Sequence, residues 1–133
     1  MKKRDLITLV LLSILPFSCV KPRETNLHFI NNTNYTILVY DWYSYPDTNF
    51  YFEWGGWQIP ANSQISMGSK NGWDNNIMKR NNENVLMLFV VHEDTLKKYS
   101  FEQISQMYLF SKRYDLHLSD LESSGWTVTY PPN

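Results

Sequence analysis

The chain has 133 residues, of which 12 are basic and 13 acidic, so its formal net charge is −1. The charges are dispersed along the sequence, whereas proteins that bind nucleic acid usually carry a basic patch or stripe. We therefore expect no nucleic-acid partner. A single cysteine excludes an internal disulfide, so stability depends on packing, mainly of the many aromatic side chains.

The first 18 residues have the pattern of an export signal. A positively charged head at residues 2–4 is followed by an apolar run at 6–17. A helix of that length rises roughly 18 Å, well short of the roughly 30 Å hydrocarbon core of a bilayer. The segment therefore predicts a signal peptide at residues 1–18 rather than a membrane-spanning helix.

The only cysteine, Cys19, follows this segment directly, in the sequence "LPFSC". These residues resemble the relaxed lipobox of Bacteroidetes lipoproteins, where signal peptidase II cuts before a diacylated cysteine. The resemblance implies that Cys19 is the lipidated N-terminus, with acyl chains such as palmitate, and that residues 19–26 are a tether. The stretch "VKPRET" lacks the acidic run that resembles a surface-export signal in this phylum, which favours a periplasm-facing anchor over the cell surface.

The domain that follows, residues 27–133, begins with two strand signals. Residues 27–30 alternate between two faces, and residues 35–42 are rich in β-branched and aromatic side chains. The sequence "NNTN" at 31–34 lies between them and favours a turn. We therefore predict that these two strands form a hairpin.

The middle of the chain is less regular. Residues 43–57 are interrupted by proline and glycine and contain a short strand candidate at 50–54. A turn at 60–63 precedes a predicted strand at 64–67. The polar segment 68–84 is rich in asparagine and glycine, which predicts a surface loop.

The next segment, "VLMLFVVH" at 85–92, is continuously apolar and predicts a central strand buried on both faces. Two capping boxes follow, one at Ser100–Gln103 and one at Ser119–Glu122, and they predict two short helices. The first helix is expected around 101–107, and Gly125 is expected to end the second.

Two further strands are predicted in the C-terminal third. One lies within "LFSKRYDLHL" at 109–118, and the other is "WTVTY" at 126–130, whose residues alternate with period two. Together these elements predict a mainly β fold, an antiparallel sandwich with Greek-key, immunoglobulin-like connections and two short helices near the C-terminus. The alternative is an α+β domain in which both helices cover one face of a single sheet.

The segment 42–57, "WYSYPDTNFYFEWGGW", contains eight aromatic residues among sixteen. Such rings can form the core, or they can lie on the surface and stack on sugar rings while nearby polar groups bind the hydroxyls. If a ligand site exists here, Trp54 and Trp57 beside two glycines are the expected platform, with Tyr45 and Asp47 as further contacts.

The sequence shows no catalytic motif, so we predict no catalytic residues and no cofactor. The three histidines lack the spacing of metal ligands, and we predict no metal site. The tripeptide "DTL" at 94–96 resembles a site of Bacteroidetes O-glycosylation, which implies that Thr95 is the acceptor.

The C-terminal third resembles the tail of a group of small Bacteroidetes lipoproteins of unknown activity. Three motifs carry the resemblance: D-T-x-x-x-Y-S-[WF]-E-x-I, K-R-Y-x-L-x-x-x-D-L and W-x-[IV]-x-Y-P. The matching residues are Asp94, Thr95, Tyr99, Ser100, Phe101, Glu102, Ile104, Lys112, Arg113, Tyr114, Leu116, Asp120, Leu121, Trp126, Val128, Tyr130 and Pro131. The resemblance implies a protein class and a location, but no activity.

The sequence as a whole predicts an exported protein of the cell envelope, anchored in a membrane through Cys19, whose domain is a non-enzymatic interaction module. Its expected partner is a glycan or an envelope protein. The alternative is a carbohydrate-binding accessory lipoprotein that uses the aromatic segment 42–57.

Overall fold

The structure, a computed structural model, describes residues 23–46 and 55–132. Within these ranges seven strands form two sheets, and four short helices accompany them. In chain order the elements are β1 (Asn26–Asn31), β2 (Ile37–Trp42), β3 (Trp57–Ile59), β4 (Ser63–Gly68), α1 (Trp73–Arg80), β5 (Val85–His92), α2 (Glu93–Lys98), α3 (Phe101–Gln106), β6 (Lys112–His117), α4 (Leu118–Ser123) and β7 (Thr127–Tyr130).

The two sheets pack on each other around one core. The first has the strand order β4–β1–β7 and the second β3–β2–β5–β6. Phe29 of β1, Leu88 of β5 and Val128 of β7 belong to the same buried cluster. The predicted mainly β domain is confirmed, and the single-sheet alternative is wrong. The β1–β7 pair is parallel, so the expectation of antiparallel strands is wrong for this pair.

The predicted hairpin of the first two strands is also wrong. β1 pairs with β4 and β7, whereas β2 pairs with β3 and β5, so the two strands lie in different sheets. The fully buried Asn31 ends β1, and its side-chain amide donates to the carbonyl groups of Tyr35 (2.8 Å) and Pro60 (2.9 Å). These bonds stabilise the turn in which the chain crosses between the sheets.

Part of the predicted loop at 68–84 is in fact helix α1. Trp73 and Ile77, four residues apart, both lie in the core between the sheets. A spacing of four places two side chains on one face of a helix. The prediction failed because the other residues of this segment are mostly polar, as expected for a short helix that buries only one narrow face.

The helices near the C-terminus differ in part from the prediction. The capping box of Ser100 and Gln103 is present at α3. In α4 the N-cap is His117, and Ser119 lies inside the helix, so the second capping box is wrong. α2 was not predicted. The short strand expected at 50–54 lies outside the described residues.

β5 is the central strand, as predicted. Its residues from Val85 to Val91 are buried, and they alternate between the two sides of the sheet. Leu88 lies in the core between the sheets, while Phe89 lies on the opposite side together with Phe110. Val91 packs with Ile104 of α3, which therefore covers part of the outer side of this sheet.

Candidate functional site

A cavity of about 260 Å³ lies where the two sheets end, between β6 and β7. β6 is the last strand of the four-stranded sheet and β7 the last strand of the three-stranded sheet. We call this cavity the β6–β7 cleft and define it by six of its residues. These are Tyr114, Leu116, Leu121, Thr127, Val128 and Thr129.

The apolar wall of the cleft follows from local sequence patterns. Tyr114 and Leu116 are two residues apart on β6, so both point toward the core. The helix α4 links β6 to β7, and its buried residue Leu121 packs in the core. The turn after α4 includes Gly125 with φ of +62°, and the Trp126 amide donates to the Leu121 carbonyl at 2.7 Å. Glycine adopts this left-handed conformation at low cost, as predicted for Gly125.

One side of the cleft is a strand edge. The carbonyl groups of Trp126 and Tyr130 accept hydrogen bonds of 2.8 Å from the chain at β1. Backbone groups of successive strand residues point to opposite sides, so those of Thr127 and Thr129 point away from β1, toward the cleft. The Thr129 carbonyl accepts a hydrogen bond of 2.8 Å from the Tyr114 hydroxyl. Among the described residues β7 pairs with β1 alone, so the Thr129 N–H takes part in no strand pairing, and it makes no backbone hydrogen bond outside the strands of this part of the chain.

Tyr114 is the titratable group that connects the two sheets. Burial, with a smaller contribution from the nearby Tyr130 hydroxyl, raises the pKa of Tyr114 to about 12. Both effects favour the neutral phenol, which is the form that donates to Thr129. The cleft is therefore closed on one side by a hydrogen bond that requires an un-ionised tyrosine.

We expect the variant Tyr114→Phe to lose about 1 kcal/mol of unfolding free energy at neutral pH, because one hydrogen bond disappears. The pKa of Tyr114 is higher in the folded chain, about 12, than in an unfolded chain, about 10. Its stabilising contribution is therefore complete below about pH 10 and decreases as the pH rises toward 12. Urea unfolding at about pH 8 and pH 11 should show that the free energy of unfolding falls less with rising pH in the variant than in the wild type. An equal loss in both proteins would contradict this assignment.

A second group of titratable residues lies beneath α1. Asp41, Tyr43 and Arg80 meet there, with the Arg80 guanidinium 4.8 Å from the centre of the Tyr43 ring. Burial raises the pKa of Asp41, although a hydrogen bond from Tyr43 and the Arg80 charge oppose this effect. Burial and the Asp41 carboxylate also raise the pKa of Tyr43. These groups are not part of the wall of the β6–β7 cleft.

The structure places two of the four predicted ligand-binding residues, and it does not bring them together. Trp57 packs against the core between the sheets, with its ring centre 5.9 Å from that of Trp73. Tyr45 packs against Met87 and Phe89 on the outer side of the four-stranded sheet. Trp54 and Asp47 lie outside the described residues, so this ligand-binding site stays a prediction.

Of the two predicted modification sites, Thr95 lies within the described residues and Cys19 does not. Thr95 lies in α2 and is partly buried, and its carbonyl accepts a hydrogen bond from the Tyr99 amide. The neighbouring Asp94 is exposed, and its pKa is lowered, chiefly by the hydrogen bond from Lys97. O-glycosylation of Thr95 stays a prediction.

Among the described residues, no three histidine, cysteine, aspartate or glutamate side chains lie together as a metal site would require. The helices in the described part of the chain are all too short or too polar to cross a membrane. Comparisons with protein-family models, with curated proteins and with solved structures gave no significant match.

Sequence reasoning did not identify the cleft. One signal was present, since Tyr114, Leu116, Leu121 and Val128 all belong to the motifs that resemble the small lipoproteins. Those motifs indicated that the C-terminal third folds. They did not indicate that α4 would connect β6 and β7 across a cavity between the two sheets.

Proposed function

We propose that this chain is an exported, lipid-anchored protein of the cell envelope, similar to the small Bacteroidetes lipoproteins. Its domain acts as a non-enzymatic interaction module, and it binds an extended segment of a partner polypeptide in the β6–β7 cleft. The observation that carries the proposal is the outward-facing edge of β7 beside an apolar cavity.

The size and chemistry of the cleft favour a peptide over a small molecule. Pockets for drug-sized ligands measure about 300–1,000 Å³, and the cleft, at about 260 Å³, lies just below that range. An exposed strand edge binds extended peptides through backbone hydrogen bonds, while pockets take alternate side chains. The Thr129 N–H supplies a donor, and the wall formed by Leu116 and Leu121 accepts an apolar side chain.

The distribution of titratable groups supports an interaction role over catalysis. Catalytic sites bring several titratable groups together in one cavity. In the β6–β7 cleft the lining carboxylate is Asp120, and the partly buried Asp41 lies beneath α1 instead.

The test uses residues 20–133, which contain every described element, and a displayed library of short random peptides. We expect enrichment of peptides that alternate apolar and polar residues. The variant Thr129→Pro removes the N–H that faces the cleft but no β1–β7 hydrogen bond, and proline is tolerated at strand edges. We expect it to weaken peptide binding roughly fivefold or more, measured by fluorescence anisotropy.

The matched control is Gln64→Pro, on the other outer edge of the same sheet. The Ser69 amide donates to the Thr25 carbonyl, and by alternation the Gln64 N–H points away from β1. This variant should bind the enriched peptides normally. Equal weakening in both variants, or no enriched peptide, would contradict the proposal. Retardation of the chain in polysaccharide gels without peptide binding would favour the carbohydrate-binding alternative.

We place the lipid anchor on the periplasmic side, because the tether lacks an acidic run. We also propose immunoglobulin-like, Greek-key connectivity, supported by the crossings between the sheets after β1, β3, β4 and β6. An experimental structure of the domain would test the connectivity.

A further inference from the structure

One end of the sandwich combines basic side chains with an exposed methionine, at the place where the chain enters the domain. Arg23 is the first described residue, and a Cβ added at Gly72 would lie 3.2 Å from the Arg23 Cβ. The Trp73 amide donates to the Glu24 carbonyl at 2.7 Å, so the entering chain runs beside the start of α1. We call Arg23, Lys70, Met78 and Lys79 the tether-end surface.

The helix α1 presents two different faces at this end. Trp73 and Ile77 are buried in the core. Met78 and Lys79 lie on the opposite side of the helix, and the Met78 side chain is 52% exposed. Met78 and Lys79 therefore present an apolar group and a positive charge side by side, and these groups complement acyl chains and anionic headgroups.

Three of the four side chains that define the tether-end surface, those of Arg23, Lys70 and Lys79, are cationic. Among the described residues, no ion pair within 4.0 Å involves Lys70 or Lys79. The two nearest carboxylates in sequence instead accept backbone hydrogen bonds, Glu24 from the Asn26 amide at 3.1 Å and Asp74 from the Asn75 amide at 2.8 Å. The turn after α1 adds one exposed carboxylate, Glu83.

The length of the tether limits how far this surface can lie from the anchor. Arg23 comes four positions after Cys19, so the two residues are at most about 14 Å apart when the chain is fully extended. The Debye length at physiological salt is about 8 Å, so basic groups this close to a bilayer interact with its charge. A neutral or acidic surface at this position would not be attracted to an anionic bilayer.

We infer that the tether-end surface docks on anionic phospholipid headgroups, with Met78 at the boundary of the acyl chains. This inference rests on the lipid anchor of the proposed function. It fixes the orientation of the domain, because α1 then faces the membrane. The headgroups supply the negative charge that Arg23, Lys70 and Lys79 complement.

The experiment uses the full chain with its leader, expressed in a bacterial host, extracted in detergent and reconstituted into vesicles. Cys19 is the only cysteine, so an introduced cysteine is the only reactive thiol of a lipidated chain. Met78→Cys is labelled with an environment-sensitive dye. Its matched control is Met107→Cys, because Met107 is similarly exposed, at 57%, and lies beyond α3.

In vesicles containing phosphatidylglycerol, a quencher in the acyl chains should reduce the fluorescence at position 78 several-fold more than at position 107. The difference should disappear in phosphatidylcholine alone, and also at about 1 M salt, where the Debye length is about 3 Å. Lys70→Glu with Lys79→Glu should abolish it, whereas Lys98→Glu with Lys112→Glu should not.

Equal quenching at both positions in a chain with one dye would overturn the docking surface and leave the lipid anchor intact. Two dyes on each chain would show that Cys19 carries a reactive thiol, and this would overturn the anchor together with the inference that rests on it.

Discussion

Replacement of Trp73 by alanine is expected to lower the free energy of unfolding by about 3–5 kcal/mol. The Trp73 side chain is 1% exposed and is the largest fully buried side chain of α1. Its ring packs near those of Trp57 and Tyr43, with centres 5.9 Å and 6.4 Å away. Its indole N–H donates to the Met67 carbonyl at 2.8 Å, so the variant loses apolar contacts and one buried hydrogen bond.

Urea unfolding monitored by far-UV circular dichroism measures this loss. Met78→Ala, on the exposed face of the same helix, is the control and should change stability by less than about 0.5 kcal/mol. Trp73→Phe keeps a ring but not the N–H, so its loss of unfolding free energy should lie between those of Trp73→Ala and Met78→Ala. A loss below about 1 kcal/mol for Trp73→Ala would show that α1 does not close this end of the core.

The second large effect is expected at Asn31, the buried polar residue of the turn between the sheets. Its amide nitrogen donates to the carbonyl groups of Tyr35, Ile59 and Pro60 at 2.8, 3.2 and 2.9 Å, and its oxygen accepts from the Thr33 amide at 3.0 Å. Asn31→Ala removes these hydrogen bonds, although the Tyr35 and Pro60 carbonyl groups keep hydrogen bonds from the Thr33 and Ser63 hydroxyls. A typical hydrogen bond contributes about 0.5–1.5 kcal/mol, so we expect a total loss of roughly 3 kcal/mol.

Asn31→Asp tests the same network with a pH readout. Its carboxylate would face carbonyl oxygens in a fully buried position, so its pKa should rise above the unfolded value of about 3.9. A raised pKa means that protonation stabilises the folded variant. The destabilisation should therefore be largest at neutral pH and decrease as the pH falls through the folded pKa, because a protonated carboxyl can donate.

Urea unfolding of wild type and variant at about pH 7 and pH 4 measures this change. The exposed Asn71→Asp is the matched control and should show little effect at either pH. If Asn31→Asp were equally destabilised at both values, its side chain would not face the three carbonyl groups.

The sequence predicted many elements because their signals are local. The alternation of residues 126–130 predicted that Trp126, Val128 and Tyr130 share one buried face, and the continuous apolar run of β5 identified the central strand. The Ser100 capping box predicted the start of α3 because both of its hydrogen bonds join residues three positions apart.

The failures occurred where long-range contacts decide. Whether β1 pairs with β2 or with β4 depends on which partner buries Leu27 and Phe29, and alternation within β1 cannot distinguish them. The sequence of α1 resembled that of a loop, because only Trp73 and Ile77 stabilise the helix and they do so by packing against strands that are distant in sequence. The β6–β7 cleft exists only because α4 connects the last strands of two different sheets.

By itself, the sequence of this protein determined which segments can form strands, which faces they bury, and that no disulfide contributes to stability. Only the tertiary structure decided which strands pair, that the strands form two sheets, and where a strand edge remains beside a cavity. The physical reason is that side-chain alternation and capping act over a few residues. Strand pairing and core packing instead join residues up to about a hundred positions apart, such as Phe29 and Val128.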